Sequence, residues 1–408
     1  MQPQVAIAPD AQAIAAWLEG AVNHERTGTF RAIRLDRIRA FLALLPAPPA
    51  PLTVAGTKGK GSTVRLIEAA LRAHQLPTLA FTSPHVASVL ERFRIDGAVA
   101  SAGEVAEACS VVARLEHGRE PLTYFEKTFA VACLLASARR DVSFLCEVGL
   151  GGRLDCANAL DCAVAVITHL SHDHRDVLGP TLEHIAREKL AVARPGRPLL
   201  IAPQSVPAAL ALERTLRALD PRTAGQARWV SEPAVPMALA LPGAHQQGNA
   251  ATALAAVAAL RPGLDPQRSQ AGMSRARLAA RCQLIEDHGR RLLIDGAHNG
   301  PSVAATVRVA QELLAPGWTL VLGLAQDKEV EEVLAVVPPG TPVRRCGYRS
   351  PRVRTQAQWP PAARAWPWHD TVTQALAAVP GGDLCVTGSF YLAGEALVAL
   401  GQDGVLPG

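Results

Sequence analysis

The ten residues Val54-Ala55-Gly56-Thr57-Lys58-Gly59-Lys60-Gly61-Ser62-Thr63 constrain this chain more than any others. Before them, Pro51-Leu52-Thr53 reads as the end of a buried strand. After them, the apolar residues between Val64 and Leu71 recur at helical spacing. A glycine-rich turn between strand and helix exposes several backbone N–H groups and the positive end of the helix dipole, and both attract phosphate. Lys60 can reach a terminal phosphate, and the hydroxyl of Ser62 or Thr63 can sit on a Mg²⁺ ion. An ordinary glycine-rich turn with solvated lysines has no need of that combination at a helix start.

Composition narrows the classes that remain. The chain has 408 residues, enough for about two or three domains. Hydrophobic residues make up 49% and charged residues 19%, which provides a sizeable core and excludes global disorder. The net charge of +5, with both signs interspersed, is too mild to imply nucleic acid and suits small anionic substrates. The cysteines lack C-x-x-C or metal-finger spacing, and most lie in apolar runs such as Phe144-Leu145-Cys146. They read as buried thiols in a reducing, cytoplasmic compartment. No apolar run is long enough to span a bilayer, and Met1 to Ala15 carries no leader pattern.

Strands and helices alternate along the chain. Helices are expected at Ala11–Val22, Arg34–Leu45, Glu104–Leu115, Leu122–Ala138, Thr181–Val192, Pro207–Leu219 and Val303–Leu314. Strands are expected at Thr78–Phe81, Leu90–Gly97, Val142–Cys146, Val164–Thr168, Leu199–Ala202, Leu292–Ile294 and Thr319–Gly323. Residues 261–281 are polar, with Gly and Pro, and read as a connection between two α/β parts. From these residues alone the chain is an ATP-using, two-domain α/β enzyme with Mg²⁺.

Several strand ends carry polar clusters. Thr78–Phe81 runs into Thr82-Ser83-Pro84-His85, and the next strand begins Leu90-Glu91-Arg92-Phe93. Val142–Cys146 delivers Glu147, followed by Val148-Gly149-Leu150-Gly151-Gly152-Arg153-Leu154-Asp155. Ligands gather at such strand ends in open parallel sheets. Val164–Thr168 leads into His169-Leu170-Ser171-His172-Asp173-His174. Its H-x-x-H-x-H spacing is not a strong zinc pattern. In the second part, Leu292–Ile294 ends in Asp295-Gly296-Ala297-His298-Asn299.

Taken together these segments resemble the folylpolyglutamate synthase and dihydrofolate synthase family, within the wider Mur ligases. The loop is similar to that family's G-T-[NK]-G-K-G-S rather than to the usual G-x-x-x-x-G-K-[ST] pattern: Val54 stands at the first glycine and Gly61 intrudes after Lys60. T-S-P-H at Thr82–His85, T-Y-F-E at Thr123–Glu126, E-V-G-L-G-G-R-L-D at Glu147–Asp155, D-H at Asp173-His174 and I-A-x-E-K at Ile185–Lys189 follow in family order. So do L-x-G-x-H-Q-x-x-N-A-A at Leu241–Ala251, D-G-A-H-N at Asp295–Asn299, Asp327-Lys328, and V-T-G-S-F-Y-L at Val386–Leu392.

The resemblance implies two domains. Residues 1–262 would hold the ATP loop on a mostly parallel sheet, 263–280 would be a linker, and 281–408 a smaller Rossmann-like α/β domain. It implies a ligase that uses ATP to phosphorylate a carboxylate, which the amine of L-glutamate then attacks, giving an amide, ADP and phosphate. The carboxylate would belong to dihydropteroate or to a folate. The nucleotide would meet Gly56, Thr57, Lys58, Gly59, Lys60, Gly61, Ser62, Thr63, Asn249, Arg281, Asp295 and His298. Mg²⁺ would be held by Ser62, Glu147, His174 and a carbamylated Lys189, and Lys60, His174, Lys189 and His298 would carry the chemistry. Ser83, Pro84, His85, Arg92, Phe125, Arg153, Asp155 and Asp173 would face the substrate. No nucleic acid, membrane or partner subunit is implied. A Mur-type ligase with another carboxylate, or a nucleotide-binding homologue without catalysis, are the alternatives. Departures at Ala157, Leu190, Ala280 and Gly300 bear on the second. His169 and His172 also depart from the pattern and read as surface residues.

Overall fold

The computed structural model describes residues 6–24 and 34–402. Residues 1–5, part of the N-terminal stretch read above, lie outside it. The first sheet is built from β1 (Leu52–Ala55), β2 (Thr78–Phe81), β3 (Phe93–Ile95), β4 (Ala98–Val99), β5 (Ser143–Glu147), β6 (Val164–Ile167), β7 (Leu199–Ile201) and β8 (Ala227–Trp229). Their order is β4-β3-β2-β5-β1-β6-β7-β8. Only the β2–β3 and β3–β4 pairs are antiparallel. The central strands are buried at every position and apolar apart from Thr53 and Thr78, as a parallel sheet covered by helices requires.

Each face has its own core. On one side Val64, Leu66, Ile67, Ala70 and Leu71 of the loop helix Lys60–Ala73 meet Ala250, Ala253 and Val257 of the alanine-rich helix His245–Leu260. On the other, Phe129, Val131 and Ala132 of the helix Tyr124–Ser137 pack with Phe81, Phe93 and Phe144. The T-Y-F-E segment starts that helix for a local reason. The Thr123 hydroxyl accepts the Glu126 N–H, and the Glu126 carboxylate accepts the Thr123 N–H, a reciprocal cap worth about 1 kcal/mol.

The second sheet comprises β9 (Gln283–Asp287), β10 (Arg290–Ile294), β11 (Thr319–Leu322), β12 (Val343–Cys346), β13 (Trp368–His369) and β14 (Leu384–Thr387). Its order is β13-β12-β11-β14-β10-β9, and only β9, joined to β10 by a hairpin, is antiparallel.

Two expectations change. Residues Val89–Arg92 form a 3-10 turn, so the strand anticipated from Leu90 starts at Phe93. The segment read as a polar connection carries the helix Pro266–Met273, started by Asp265, whose carboxylate accepts the Gln267 N–H. It lies against the loop helix: Met273 is buried, Arg268 Nε donates to the Ala73 carbonyl at 2.6 Å, and Arg65 Nε to the Arg277 carbonyl at 3.1 Å.

Candidate active site

The C-terminal ends of β1, β2, β5 and β6 open on one side of the first sheet, and those of β10 and β14 face them from the second. Between them lies a cleft of about 2100 Å³. Lys58, Gly59, Lys60, Gly61, Ser62, Ser83, Pro84, His85, Arg92, Phe125, Glu147, Asp155, Asp173 and His174 line it from the first part. Asn249 joins them beneath the loop, and Arg281, Asp295 and His298 complete the wall opposite.

Gly59 holds a left-handed conformation (φ 87°), and a Cβ there would overlap the Asn249 amide. The turn can therefore reverse, with Asn249 close beneath it, only with glycine at this position. The helix that follows begins at Lys60, so the N–H groups of its first turn have no acceptor within the helix and face the cleft. The Thr57 and Lys58 N–H groups are engaged instead: both donate to the His169 carbonyl, at 3.0 and 3.1 Å. His169 thus supports the loop through its backbone rather than lying idle at the surface; His172 is exposed. Lys60 Nζ folds back onto the Gly56 and Thr57 carbonyls at 3.2 and 3.4 Å. Thr63 is fully buried beneath the loop, and its Oγ1 has no partner among the described residues.

Glu147 is 4% exposed. Its Oε2 accepts the Ser83 N–H at 3.1 Å and lies 3.3 Å from where a Cβ on Gly61 would sit, so the carboxylate faces the loop. Burial pushes its pKa up, while Lys60 nearby opposes that. The Ser62 hydroxyl is 3.5 Å from the Gln246 amide, which in turn accepts from Asn249 at 2.9 Å. On the far side of Lys60 stand Asp173 and His174. His174 adopts a left-handed backbone (φ 48°). Burial holds its imidazole below the ordinary histidine pKa, and the charges of Lys328, Lys60 and Lys189 add to that. Burial works against Asp173, yet His174, His298 and Lys328 hold its carboxyl below the usual range.

Lys189 lies beneath the loop instead of in solvent. It is 4% exposed, and its Nζ donates to the Gly56 carbonyl at 2.8 Å. Burial, reinforced by Lys60, lowers its pKa to about 7.

Across the cleft, Asp295 is an organiser of backbone. Its two oxygens accept the Cys282 N–H at 2.7 Å, the Ala297 N–H at 2.8 Å and the Thr306 hydroxyl at 2.9 Å. His298 Nδ1 is 3.0 Å from the Gly296 carbonyl, and burial keeps the ring below the ordinary histidine pKa. The Arg281 guanidinium sits over the Phe390 ring at 4.3 Å. At the other end, Arg92 Nε donates to His85 Nδ1 at 3.0 Å, and burial with that cation pushes the His85 pKa down to about 3. Phe125 packs against Phe81 with ring centroids 5.7 Å apart.

Asp155 and Arg153 are both engaged by partners within the first part. Asp155 reaches the cleft wall, but its carboxylate accepts the N–H groups of Gly149, Leu150 and Ala157 and so shapes the glycine-rich turn. Arg153 is half exposed, lies outside the cleft wall and pairs with Glu188 at 2.7 Å. Conversely, Lys328, Tyr348, Arg349, Arg352 and Phe390 line the cleft without having been assigned a role. Lys328 and Phe390 sit in recognisable motifs, whereas 348–352 matches no pattern and gave no signal.

The donor set suits a hard divalent cation. It offers carboxylate, hydroxyl and imidazole groups, and no trio of His, Cys, Asp or Glu converges among the described residues. Mg²⁺ needs only one or two protein oxygens when phosphate and water complete its shell.

Comparison with known proteins agrees with this geometry. Residues 54–198 match the Mur ligase middle domain. A dihydrofolate synthase/folylpolyglutamate synthase of Escherichia coli K12 is 34% identical over 346 residues, covering 80% of this chain and 79% of its own length. The crystal structure of Mycobacterium tuberculosis folylpolyglutamate synthase complexed with ADP and AMPPCP superposes with a TM-score of 0.81 at 27% identity, covering 97% of this chain and all (100%) of that one. A bifunctional folylpolyglutamate synthase/dihydrofolate synthase with Mn, AMPPNP and L-glutamate bound gives 0.80 at 28% identity, covering 98% and 100%. The chain belongs to the dihydrofolate synthase/folylpolyglutamate synthase family of Mur-type ligases.

Proposed function

We propose that this chain joins L-glutamate to dihydropteroate, to a folate, or to both, with ATP as phosphoryl donor. The observation that carries this reading is the cleft itself. A phosphate-binding helix start, a buried carboxylate at the end of β5 and the Asp295–His298 turn of the second part converge on one space. That space fits a nucleotide beside an extended acid substrate.

The residues divide the work as follows. The first-turn N–H groups after Gly59 and the Lys60 ammonium hold the terminal phosphates, and Lys60 follows the charge as it moves. Ser62, Glu147 and His174 would hold Mg²⁺, which offsets charge on the transferring phosphoryl group. Asn249 supports the loop, and Arg281 with His298 closes the nucleotide side. His85, Arg92 and Phe125 form the aromatic and basic end that receives the pterin. Once the carboxylate is phosphorylated, the glutamate amine displaces phosphate. Closure of the two parts keeps water from the acyl phosphate until then.

Lys189 is the best candidate for a carbamate. With a pKa of about 7 it is substantially neutral near physiological pH, as addition of CO₂ requires. The resulting negative charge would sit beside the loop where an ammonium would compete with Mg²⁺. The division into residues 1–262, 263–280 and 281–408 is supported by two sheets that share no strand. The whole cleft is built within one chain, which supports a monomer. The eight cysteines are all free and buried, which supports a cytoplasmic location, and no helix among the described residues is long and apolar enough to cross a membrane.

The test is ADP release with glutamate in the presence of dihydropteroate and then of tetrahydrofolate. Amide formation with either acid, abolished by chelation and restored by Mg²⁺, supports the reading. ADP release that depends on neither acid overturns it.

A further inference from the structure

The helix Phe390–Ala399 reaches both halves of the cleft. At its start Phe390 lies under the Arg281 guanidinium at 4.3 Å, with its ring 6.1 Å from that of His298. About one turn later, Gly394 meets the first part of the chain. A Cβ on Gly394 would overlap the Val86 carbonyl oxygen and come 2.9 Å from its carbonyl carbon. Val86 also packs against the second part's own core cluster, to which Leu392, Ala393 and Ala396 belong.

Val86 directly follows Ser83-Pro84-His85, and its loop is stiff. The Glu91 carboxylate accepts the N–H groups of Val86, Ala87 and Ser88 at 2.9, 2.8 and 2.6 Å. His85 is held by Arg92. One rigid helix therefore touches the nucleotide side at Phe390 and the acid-substrate loop at Gly394.

Glycine is otherwise a poor choice at this position. It lies inside a helix and is buried, where alanine is favoured by about 1 kcal/mol. The close approach of Val86 is what requires it.

We propose that Gly394 is a positioning residue: its missing side chain lets the second part dock on the Ser83–Arg92 loop and so aligns the acid substrate with the nucleotide. This rests on the ligase reading above. Gly394→Ala should lower kcat for amide formation by about ten- to a hundred-fold, the scale expected for a small misplacement of reacting groups. It should weaken ADP binding less than it lowers kcat, because the phosphate-holding loop belongs to the first part while Arg281 and His298 belong to the second. It should also enlarge the radius of gyration measured by X-ray scattering and speed proteolysis within 274–282.

If the contact were incidental, better helix propensity would make the variant at least as stable as the parent, with unchanged kcat and scattering. That result overturns the proposal. Val86→Asp, on a loop outside both sheets, guards against misfolding of the helix. It should reproduce the slow, expanded behaviour, and parent-like turnover and scattering would again overturn it. A parent that forms no amide would refute the ligase reading, and the scattering comparison would still decide whether Gly394 docks the two parts.

Discussion

At the scale of single residues, Lys60 and Lys189 show how burial separates two lysines that the sequence displays alike. Among the described residues, Lys60 bonds only to carbonyls of its own loop. Lys60→Ala should therefore abolish turnover while the urea midpoint stays put; parent-like turnover at saturating ATP would sink its phosphate role. Lys189 is depressed to about 7 from an ordinary 10.5. The folded state then binds fewer protons than the unfolded one between those values, so stability rises with pH across that window. Below about 7 both states hold the proton, and the full cost of burying the ammonium is present. In metal-free, bicarbonate-free buffer the urea midpoint of the parent should climb from about pH 7 to 9, and that of Lys189→Met should not. Equal slopes would show that the amine is not buried as described. Lys60 and Glu147 were legible because their chemistry fixes residue type and spacing. The pairing of Arg153 with Glu188 was not legible, because Glu188 lies on a helix that no local pattern ties to it.

At the scale of elements, the central strands and their helices could be read from apolar runs and caps, since a parallel sheet buried on both faces leaves a continuous apolar signal. The helix Pro266–Met273 could not. Its exposed face dominates the composition, and only the polar Ser269, Met273 and the small Gly272, seated on Ala69, mark the buried edge. The short edge strand β13 and its neighbour β12 carry too few apolar residues to stand out. Beyond that helix the chain turns at Ala280 and Cys282, both left-handed, with φ of 50° and 48°. They flank Arg281 and aim it at Phe390. A residue with a Cβ costs about 1–2 kcal/mol in that conformation. Ala280→Gly relieves that strain but adds freedom to the unfolded chain and removes a fully buried methyl, so the unfolding free energy should change by less than about 1 kcal/mol in urea titration. A loss of about 2 kcal/mol, the two costs without any relief, would mean that this turn is unstrained.

At the scale of the whole molecule, the two parts matter because neither holds a complete site. The loop, Glu147 and His174 come from one, and Arg281, Asp295 and His298 from the other. Sequence order could list these residues, but it could not show that the helix Phe390–Ala399 reaches back to Val86, because that contact joins positions far apart along the chain. The central claim is that phosphate leaves from the substrate's own carboxylate. It is tested most directly by supplying the acid substrate with ¹⁸O in that carboxylate, together with ATP and glutamate, and measuring the isotope in released phosphate. The account predicts one ¹⁸O atom per phosphate for each amide formed. Unlabelled phosphate, with amide still accumulating, would contradict it.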